Sequence, residues 1–483
     1  MRSVPGHKPM QYDYDMIVVG GGAAGLTSAG ISATAGAKTL LISDAPLGGD
    51  CTWHGCVPSK TLLHQALRRD RPSLTDALSV VHKIREDIYE DADSPARLAR
   101  FNIETWHGRA QFLDPHTLTV VNPPSEPRVV RARKFILATG SRPLIPNIVG
   151  LSTGSYLTTD SFFDAIDPAL TSIAIIGAGA VGIELSHALA RFGVAVDLFD
   201  AQRRMLPSFS EEAARLACSD LEQVGVRLHL GRPIERVNKN AESWTVYTEA
   251  GTIASEQLLI ATGRTPNLES LALEAAGVPT PDGRLVVSAR GRTNVRHIAA
   301  AGDLLPGFHH THAAEMSAKS AASNLLFGVG PRNQPSMIPT VLYCPRPLAR
   351  MGISVAEGQT DSTLRVYRFP YGKIDRAITE EDVSGHVALV VTKRSGRIMG
   401  VEIIGTRADD LIGLITVAMA NRMTLTAFSG LTFAYPTLAL GVRRAADQWF
   451  IDIQRNYRPW IQRFARLFRY RGTVPIIDEN ELV

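Results

Sequence analysis

Two closely spaced cysteines, Cys51 and Cys56, are the residues most clearly suited to chemistry; they lie in the stretch GGDCTWHGCVPSK. The chain has 483 residues and only four cysteines, too few for a structural disulfide framework at this length. In a reducing compartment, a close pair indicates catalysis, redox sensing or metal binding. The spacing is wider than zinc sites use, and the sequence has no second close pair. Catalysis and redox sensing are therefore favoured over a zinc site.

Composition and charge limit the classes of protein to which the chain can belong. Apolar residues make up 45% and charged residues 20%, as in soluble globular proteins, and the length predicts about two to four domains. The formal net charge of +4 gives little support to a nucleic-acid partner. The chain opens without an apolar signal region, and its longest apolar run, residues 411–420, is about half of a bilayer span. We therefore expect a cytoplasmic protein.

A glycine motif precedes the cysteine pair and indicates which kind of ligand binds next to the cysteines. Residues 14–19 have the pattern of a short buried strand, and a helical pattern follows the glycines. In this context Gly20 permits the tight turn, Gly22 lets a pyrophosphate approach the backbone, and Gly25 lets the helix pack on the strand. The next strand ends at Asp44, whose carboxylate is placed to bind a ribose hydroxyl. The motif predicts a dinucleotide site.

The same unit occurs a second time, after a buried strand at residues 171–176. Its glycines are Gly177, Gly179 and Gly182. Two such units predict two dinucleotides, one of which is usually a hydride donor. Asp200 ends the following strand, where a carboxylate favours NADH because it repels a 2′-phosphate. Arg203 and Arg204 follow closely and leave NADPH as an alternative, because either side chain can reach a phosphate.

From about Tyr14 to Trp449 the chain resembles the class I pyridine nucleotide-disulfide oxidoreductases. The cysteine stretch carries the resemblance, together with the segments ATG at 138–140, ATGRTPN at 261–267 and AGD at 301–303. The resemblance implies an α/β protein with two Rossmann-like dinucleotide-binding domains and a C-terminal α+β dimerisation domain. Gly140, Gly263 and Asp303 become expected cofactor contacts, Asp303 at the ribityl-phosphate region of FAD.

The resemblance also implies domain limits and partners. We expect residues 14–148 and 283–333 to bind FAD, 149–282 to bind NAD(P)H, 334–448 to form a homodimer interface, and 449–483 to form a basic tail. No bound metal and no nucleic-acid partner are expected.

In the family, the two cysteines form a disulfide against the flavin. Cys56 is then the flavin-facing sulfur and Cys51 the sulfur that faces the acceptor. Lys60 lies one helical turn after Cys56, and the family pairs this lysine with a glutamate, here Glu184. The pair holds a positive charge near the flavin, which also favours a thiolate. Electrons are expected to pass from NAD(P)H to FAD and then to the disulfide.

One segment departs from the family pattern and bears on the electron acceptor. Disulfide-reducing members carry a histidine and, five residues later, a glutamate, whereas this chain has Tyr435 and Leu440. A tyrosine with an ordinary pKa near 10 is a poor base at neutral pH, so efficient turnover of lipoamide or glutathione disulfide is not expected. Mercuric reductase also has a tyrosine in this region, although the C-terminal cysteine pair of that enzyme is absent here.

The sequence does not identify the electron acceptor. A metal ion, a small disulfide and a quinone all remain, with a dihydrolipoamide dehydrogenase-type reductase as the alternative enzyme. A redox-sensing flavoprotein that docks on a membrane or a partner is the alternative of another class. His309, His310 and His312 form a cluster that we expect to pack near the flavin in preference to binding a metal.

The C-terminal tail has the pattern of a basic amphipathic helix. We expect the helix to begin at Pro459 and to end at Gly472. Its apolar stripe comprises Trp460, Ile461, Phe464, Leu467 and Phe468. Six arginines and no acidic residue lie between positions 455 and 471. This pattern suits an anionic membrane surface, such as the inner surface of the cell membrane, and it also suits packing on the protein's own dimer.

Overall fold

The computed structural model describes residues 11–153, 155–241, 243–307, 310–468, 470 and 472. The chain divides into two compact units. The first consists of Met1–Ala201 and Arg232–Pro335, and the second of Gln202–Gly231 and Ser336–Val483.

Strands and helices alternate along much of the chain, as in α/β proteins. The first unit begins with β1 (Tyr14–Val19), α1 (Ala23–Thr34), β2 (Thr39–Ser43), α2 (Gly49–Trp53), α3 (Cys56–Leu67), α4 (Leu74–Ile88), α5 (Pro95–Ala99), β3 (Ile103–His107), β4 (Arg109–Asp114), β5 (Thr117–Val121), β6 (Arg128–Leu137), β7 (Ser141–Pro143), β8 (Leu157–Thr158), α6 (Phe162–Ala165), β9 (Ser172–Ile176), α7 (Ala180–Arg191) and β10 (Ala195–Asp200). The second unit contributes α8 (Glu211–Gln223) and β11 (Arg227–Leu230). The first unit continues with β12 (Ile234–Lys239), β13 (Trp244–Thr248), β14 (Gly251–Ser255), β15 (Gln257–Ile260), β16 (Arg264–Pro266), β17 (Ile298–Ala300) and α9 (Thr311–Phe327).

The first glycine motif follows the central strand of a parallel sheet. Strands β3, β2, β1, β6 and β17 lie in that order, each parallel to its neighbour. Val18 pairs with Leu41 on one side and Ile136 on the other, and all three are fully buried. Strands covered on both faces need a continuous apolar run, and the residues MIVV of β1, positions 16–19, provide one. Strands β4 and β5 extend β6 as an antiparallel ribbon.

The second glycine motif has the same setting. Strands β10, β9, β15 and β8 lie in that order and run parallel, and β9 leads through the glycines into α7. Strands β12, β13 and β14 form an antiparallel sheet, and β7 pairs with β16. Both glycine motifs therefore lie between a central parallel strand and a helix, which confirms the predicted pair of Rossmann-like folds.

The second unit is built on an antiparallel sheet. Its further elements are β18 (Thr340–Leu342), β19 (Leu348–Gly352), α10 (Val355–Thr360), β20 (Leu364–Pro370), α11 (Asp375–Thr379), β21 (His386–Thr392), β22 (Ile398–Ile404), α12 (Ala408–Ala420), α13 (Leu425–Ser429) and α14 (Ala439–Leu467). The sheet order is β18-β19-β22-β21-β20, with all neighbours antiparallel. Its buried face shares one apolar core with α12, α13 and the first part of α14. This is the α+β domain expected at the C-terminal end.

The predicted start of the terminal helix is wrong. The helix is α14, which begins at Ala439, continues through Pro459 and ends at Leu467, before Gly472. A proline inside a helix costs about 3 kcal/mol because it removes a hydrogen bond and crowds the preceding turn. Tertiary packing offsets that cost: Val442, Ala446 and Trp449 are buried in the core of the second unit.

A polar contact extends the docking of α14 beyond Trp449. The Tyr367 hydroxyl donates a hydrogen bond to Asp452 Oδ2 at 2.5 Å, and Arg365 forms an ion pair with the same carboxylate. The predicted boundary between interface domain and tail at residue 449 therefore falls inside a packed helix.

Candidate active site

The glycines of both motifs occupy positions that a larger residue cannot fill. Gly20 and Gly177 have φ angles of +111° and +113°. A Cβ atom on Gly25 would lie 1.8 Å from the Gly20 carbonyl oxygen, and one on Gly182 would lie 1.9 Å from that of Gly177. The helices α1 and α7 can approach their strands only because these side chains are absent.

The middle glycines face open space at the helix N-termini. A Cβ atom on Gly179 would have no atom within 4 Å, and one on Gly22 would meet only the Gly49 Cα, at 3.8 Å. Neither α1 nor α7 has a side chain that caps its first turn, and neither first turn contains an acid. Uncapped backbone N–H groups beside an open cradle suit a phosphate anion, so both loops fit a dinucleotide pyrophosphate.

The acidic residues predicted for the riboses lie at the end of the strand that follows the helix of each glycine motif. Asp44 follows β2, is exposed and lies 3.5 Å from Arg109 Nε. Asp200 ends β10, and its Oδ2 accepts a hydrogen bond from the Ala178 backbone N–H at 2.8 Å. The carboxylate of Asp200 is therefore held against the second glycine loop.

Residues 48–60, hereafter the redox loop, pack directly on the first glycine motif. The Gly48 backbone N–H donates to the Gly21 carbonyl at 2.8 Å, and a Cβ atom on Gly49 would lie 2.6 Å from the Gly22 Cα. Cys51 lies in the short helix α2, and Cys56 is the first residue of α3. The chain order of glycine motif and cysteine pair thus becomes spatial contact, which places the sulfurs beside the first dinucleotide site.

The two thiols differ sharply in acidity. The structure holds both as free cysteines, with Cys51 half-buried and Cys56 exposed. A hydrogen bond from Cys51 is the largest of the effects that lower the pKa of Cys56 to about 5, and Thr311, Lys60 and His312 lower it further. The same hydrogen bond, with burial, raises the pKa of Cys51. At neutral pH, Cys56 is therefore the thiolate and Cys51 the thiol that donates to it.

Lys60 forms an ion pair with Glu184, as the resemblance implied. Lys60 Nζ lies 2.7 Å from Glu184 Oε2, although the residues are 124 positions apart. The glutamate is 3% exposed and lies on α7, whereas Lys60 lies on α3 one turn after Cys56. The pair thus links the cysteine helix to the helix of the second glycine motif.

The other predicted cofactor contacts lie together in the first unit. Asp303 Oδ2 accepts a hydrogen bond from the Ser141 hydroxyl at 2.8 Å, next to Gly140 in sequence. Gly140 and Gly263 have φ angles of +67° and +123°, and a Cβ atom on either would meet no atom within 4 Å. Both glycines therefore present open backbone beside β7 and β16.

The residues that depart from the family pattern belong to the second unit. Tyr435 is 73% exposed, and Leu440 lies half-buried in the first turns of α14. Cys51 and Cys56 belong to the first unit.

Only part of the histidine cluster lies in the described part of the chain. His309 is outside it, whereas His310 and His312 stack with ring centroids 5.3 Å apart. His312 is one of the charges that lower the pKa of Cys56. Within the described residues, no group of three or more His, Cys, Asp or Glu side chains is arranged to hold a metal ion.

Sequence reasoning missed two residues that touch the redox loop. The Thr311 hydroxyl lies 3.4 Å from Cys56 Sγ, and the Arg264 guanidinium lies 2.5 Å from Asp50 Oδ2. Arg264 was visible within the quoted ATGRTPN segment, and Asp50 within the cysteine stretch. Nothing in the sequence indicated that they are paired.

Fold and site together define a flavin- and nicotinamide-dependent oxidoreductase with a dithiol beside its first dinucleotide site. Residues 14–318 match the pyridine nucleotide-disulphide oxidoreductase family, and residues 338–446 match its dimerisation domain. The chain belongs to this family, whose members use FAD and NAD(P)H.

Relatives and solved structures agree with this assignment. The chain is 32% identical to a mercuric reductase of Shigella flexneri over 91% of its own length and 81% of that protein. It is 28% identical to a dihydrolipoyl dehydrogenase of Staphylococcus aureus, over 90% of this chain and 96% of the relative. The Cu(II) complex of the HOCl-induced flavoprotein disulfide reductase RclA from Escherichia coli superposes with a TM-score of 0.83 and 25% identity, over 91% of this chain and all of that one.

Proposed function

We propose that the protein uses NADH to reduce the Cys51–Cys56 disulfide and that the resulting dithiol reduces a thiol-binding metal ion. FAD would be held by residues 14–148 and 283–333, and NADH by residues 149–282. The observation that carries the proposal is the polarised cysteine pair, in which a thiol donates a hydrogen bond to a thiolate at the start of a helix. Bound FAD would supply the chemistry that accepts hydride and passes an electron pair to the disulfide.

Each group around the pair would then have a separate task. Cys56 is stabilised as a thiolate by Cys51, Thr311 and the Lys60 charge, which suits the flavin-facing role. Cys51 holds its proton in the reduced pair and would release it to solvent when its sulfur binds the acceptor as a thiolate. Glu184 orients the Lys60 ammonium, so that a positive charge stays fixed beside the site where negative charge develops.

The surroundings of Asp200 support NADH as the donor. Its carboxylate is fixed on the Ala178 N–H, where a 2′-phosphate would be repelled. The Arg204 guanidinium donates to the carbonyls of Pro207 and Phe209, so it is already engaged in its own loop. Arg203 is exposed and is the residue through which NADPH could compete. Faster flavin reduction by NADPH than by NADH in stopped-flow measurements would reject this assignment.

The absence of a histidine–glutamate pair at Tyr435 and Leu440 supports a metal ion over a small disulfide. Release of a thiol from a mixed disulfide needs a proton donor, whereas a metal ion leaves no thiolate to protonate. The relative in Shigella flexneri is named a mercuric reductase, and RclA is described as a Cu(II) complex. A small disulfide is the second candidate, because a relative in Staphylococcus aureus is named a dihydrolipoyl dehydrogenase.

An acceptor screen tests the proposal. NADH oxidation would be followed with Hg(II), Cu(II), lipoamide, glutathione disulfide and a soluble quinone, for the parent and for Cys51→Ser. We expect the metal ions to give the highest kcat/KM and Cys51→Ser to lose that activity. Equal metal-dependent turnover by Cys51→Ser would show that the cysteine pair is not the route of the electrons.

We also propose a cytoplasmic homodimer that attaches peripherally to an anionic membrane, such as the inner surface of the cell membrane, through the end of α14. The match of residues 338–446 to a dimerisation domain supports the dimer. Among the helices that the structure describes, none has the length and apolar character needed to cross a bilayer. The final part of α14 instead carries exposed aromatic residues, among them Trp460 at 62% and Phe464 at 59% exposure. This part of the helix also carries four arginines, which suit an anionic surface: Arg455, Arg458, Arg463 and Arg466. The other two arginines of the tail, Arg469 and Arg471, lie outside the described residues.

A further inference from the structure

The Arg264 guanidinium joins elements of the first unit that are distant in sequence. Its Nη2 donates to Asp50 Oδ2 at 2.5 Å, its Nη1 to Asp160 Oδ1 at 2.7 Å, and its Nε to the Ser141 hydroxyl at 2.8 Å. The Ser141 hydroxyl in turn donates to Asp303. Arg264 is 21% exposed, so this bond network is only partly open to solvent. It connects the redox loop to the residue expected at the flavin.

The backbone of Asp50 closes the redox loop. Its carbonyl oxygen accepts hydrogen bonds from the backbone N–H groups of His54, at 2.9 Å, and of Gly55. Asp50 directly precedes Cys51, and Gly55 directly precedes Cys56. A Cβ atom on Gly55 would lie 2.9 Å from the same carbonyl oxygen, so the two ends of the loop are in close contact. One residue therefore fixes the relative position of both cysteines.

We propose that the Asp50–Arg264 ion pair positions Cys51 against Cys56 and thereby sets the equilibrium between their disulfide and dithiol forms. The inference rests on the proposed function, because it assigns Asp50 and Arg264 as positioning residues of the same cysteine pair. The side chain of Asp50 is anchored by Arg264, and its carbonyl holds the loop between the sulfurs. Release of the side chain would loosen the loop and lengthen the hydrogen bond from Cys51 to Cys56.

The sign of the effect follows from which form that hydrogen bond stabilises. Only the reduced pair contains a thiol that donates to a thiolate, so loss of this contact destabilises the reduced form. A disulfide whose reduced form is destabilised becomes harder to reduce. Burial raises the pKa of Asp50 to about 6 while Arg264 opposes the rise, so the ion pair is present at pH 7 and weakens below about pH 6.

The test measures the disulfide equilibrium without using enzyme turnover. The oxidised FAD-loaded protein is equilibrated at pH 7 with mixtures of reduced and oxidised dithiothreitol. Each dithiothreitol that closes to its cyclic disulfide gives up two electrons and two protons as the Cys51–Cys56 bond breaks. Cys51 takes one proton, the other proton goes to solvent, and Cys56 is left as the thiolate. The thiols are then alkylated and counted by mass spectrometry. Cys218 and Cys344 serve as internal references.

Three variants separate positioning from other effects. Asp50→Ala removes the anchor, and we expect the equilibrium constant for reduction to fall about tenfold, which corresponds to about 30 mV for a two-electron couple. Asp50→Asn retains an oxygen that can accept from Arg264, and less than about a threefold change, or about 15 mV, is expected. Glu269→Ala is the matched control, because it removes the exposed Arg142–Glu269 ion pair that also joins β7 to the chain after β16.

Each outcome decides the proposal. An Asp50→Ala constant equal to that of the parent would overturn it, and so would Asp50→Asn and Asp50→Ala constants that fall equally. If Asp50→Ala does not fold with FAD, Arg264→Lys takes its place, since one ammonium cannot hold both carboxylates and Ser141. An equilibrium constant equal to that of the parent for Arg264→Lys would overturn the proposal. Failure of the proposed function gives a different result from failure of this inference. If the parent forms no Cys51–Cys56 disulfide, oxidation will not lower its count of alkylated thiols by two.

Discussion

The redox loop and the final part of α14, residues 454–467, differ in how their functional side chains are contacted. In the redox loop, Cys56, Lys60 and Asp50 are each bound by a residue more than 120 positions away. In the final part of α14, Trp460, Phe464 and other aromatic side chains are more than half exposed. The first region is satisfied by contacts inside its own unit, and the second leaves a large apolar surface on the chain.

This difference indicates where each region acts. Contacts from several elements fix the sulfurs and their charges before any acceptor arrives, as a reaction centre requires. The exposed stripe continues the face through which Val442, Ala446 and Trp449 pack on the core, but it extends past the last core contact of the helix. A continuous apolar face that lies half inside a core and half in water is expected to bind something else.

The largest effect is expected in the redox loop. Cys51→Ser and Cys56→Ser each should lower turnover of the native acceptor by about 10³-fold or more, because each removes a sulfur that must carry the electrons. Reduction of ferricyanide, which can take electrons from the flavin directly, should continue in both variants. Steady-state rates with both acceptors check this expectation. Loss of both activities would point to damage at the flavin site.

Substitution of Lys60 should show how much its ion pair with Glu184 contributes to the stability of the fold. Lys60→Met takes the ammonium away from a nearly buried carboxylate, and we expect the free energy of unfolding to fall by about 2 kcal/mol. This loss is smaller than that for breaking a fully buried ion pair, because the lysine side chain is 35% exposed. Glu269→Gln breaks the exposed pair with Arg142 and should cost less than about 1 kcal/mol. Urea denaturation of both variants gives the comparison. Equal losses would show that the two pairs contribute alike to stability.

The glycine motifs of the site could be predicted from local sequence, whereas the contacts between residues distant in sequence could not. The glycine motifs were predictable because strand, turn and helix are contiguous and because each glycine has a steric task. The pairing of Lys60 with Glu184 came from the family resemblance, since no periodicity links residues 124 positions apart. The contacts of Arg264 with Asp50 and Asp160 were not predictable, because they depend on how β16, α2 and the turn after β8 meet.

The predicted helix start at Pro459 failed for a related reason. Proline is common in the first turn of a helix, and local preference therefore placed the start at that residue. The true start, Ala439, is set by packing of Val442 and Trp449 on the sheet of the second unit, a contact that lies outside the local pattern. Four of the five predicted stripe residues do lie within α14, because their spacing does not depend on where the helix begins, whereas Phe468 follows its last residue.

Tyr435 and Leu440 should limit which acceptors the dithiol can reduce. The double variant Tyr435→His with Leu440→Glu supplies the base and its partner. We expect lipoamide turnover to rise at least about tenfold, which is less than the roughly 10²–10⁴-fold that a well-positioned acid–base group contributes. Each single variant should gain less. The measurement is kcat/KM for lipoamide and for glutathione disulfide in all four proteins. Rapid turnover by the parent would mean that another base acts. His54 would then be the next residue to change, because it lies between the two cysteines in the sequence.

Removal of the end of α14 is expected to have the smallest effect on the reaction and the largest effect on membrane binding. A chain ending at Gln454 keeps Trp449 and Asp452 in place and should retain FAD, its dimer and its rate of flavin reduction. The full chain should sediment with anionic liposomes at low salt and leave them at high salt, because each arginine near the surface contributes about 1 kcal/mol. Trp460→Ser with Phe464→Ser should weaken that binding. If the shortened chain becomes monomeric instead, the stripe packs in the protein's own dimer.

The central claim is that Cys56 lies beside the flavin as a thiolate whose charge is stabilised by Cys51, and absorbance spectroscopy tests this claim most directly. Reduction of the parent by NADH should produce a long-wavelength thiolate-to-flavin band that persists above about pH 5 and disappears below it, since the lowered pKa of Cys56 keeps the thiolate charged at higher pH. Cys51→Ser should show the band without reductant, and Cys56→Ser should never show it. A band that survives in Cys56→Ser, or no band in either the parent or Cys51→Ser, would contradict the account.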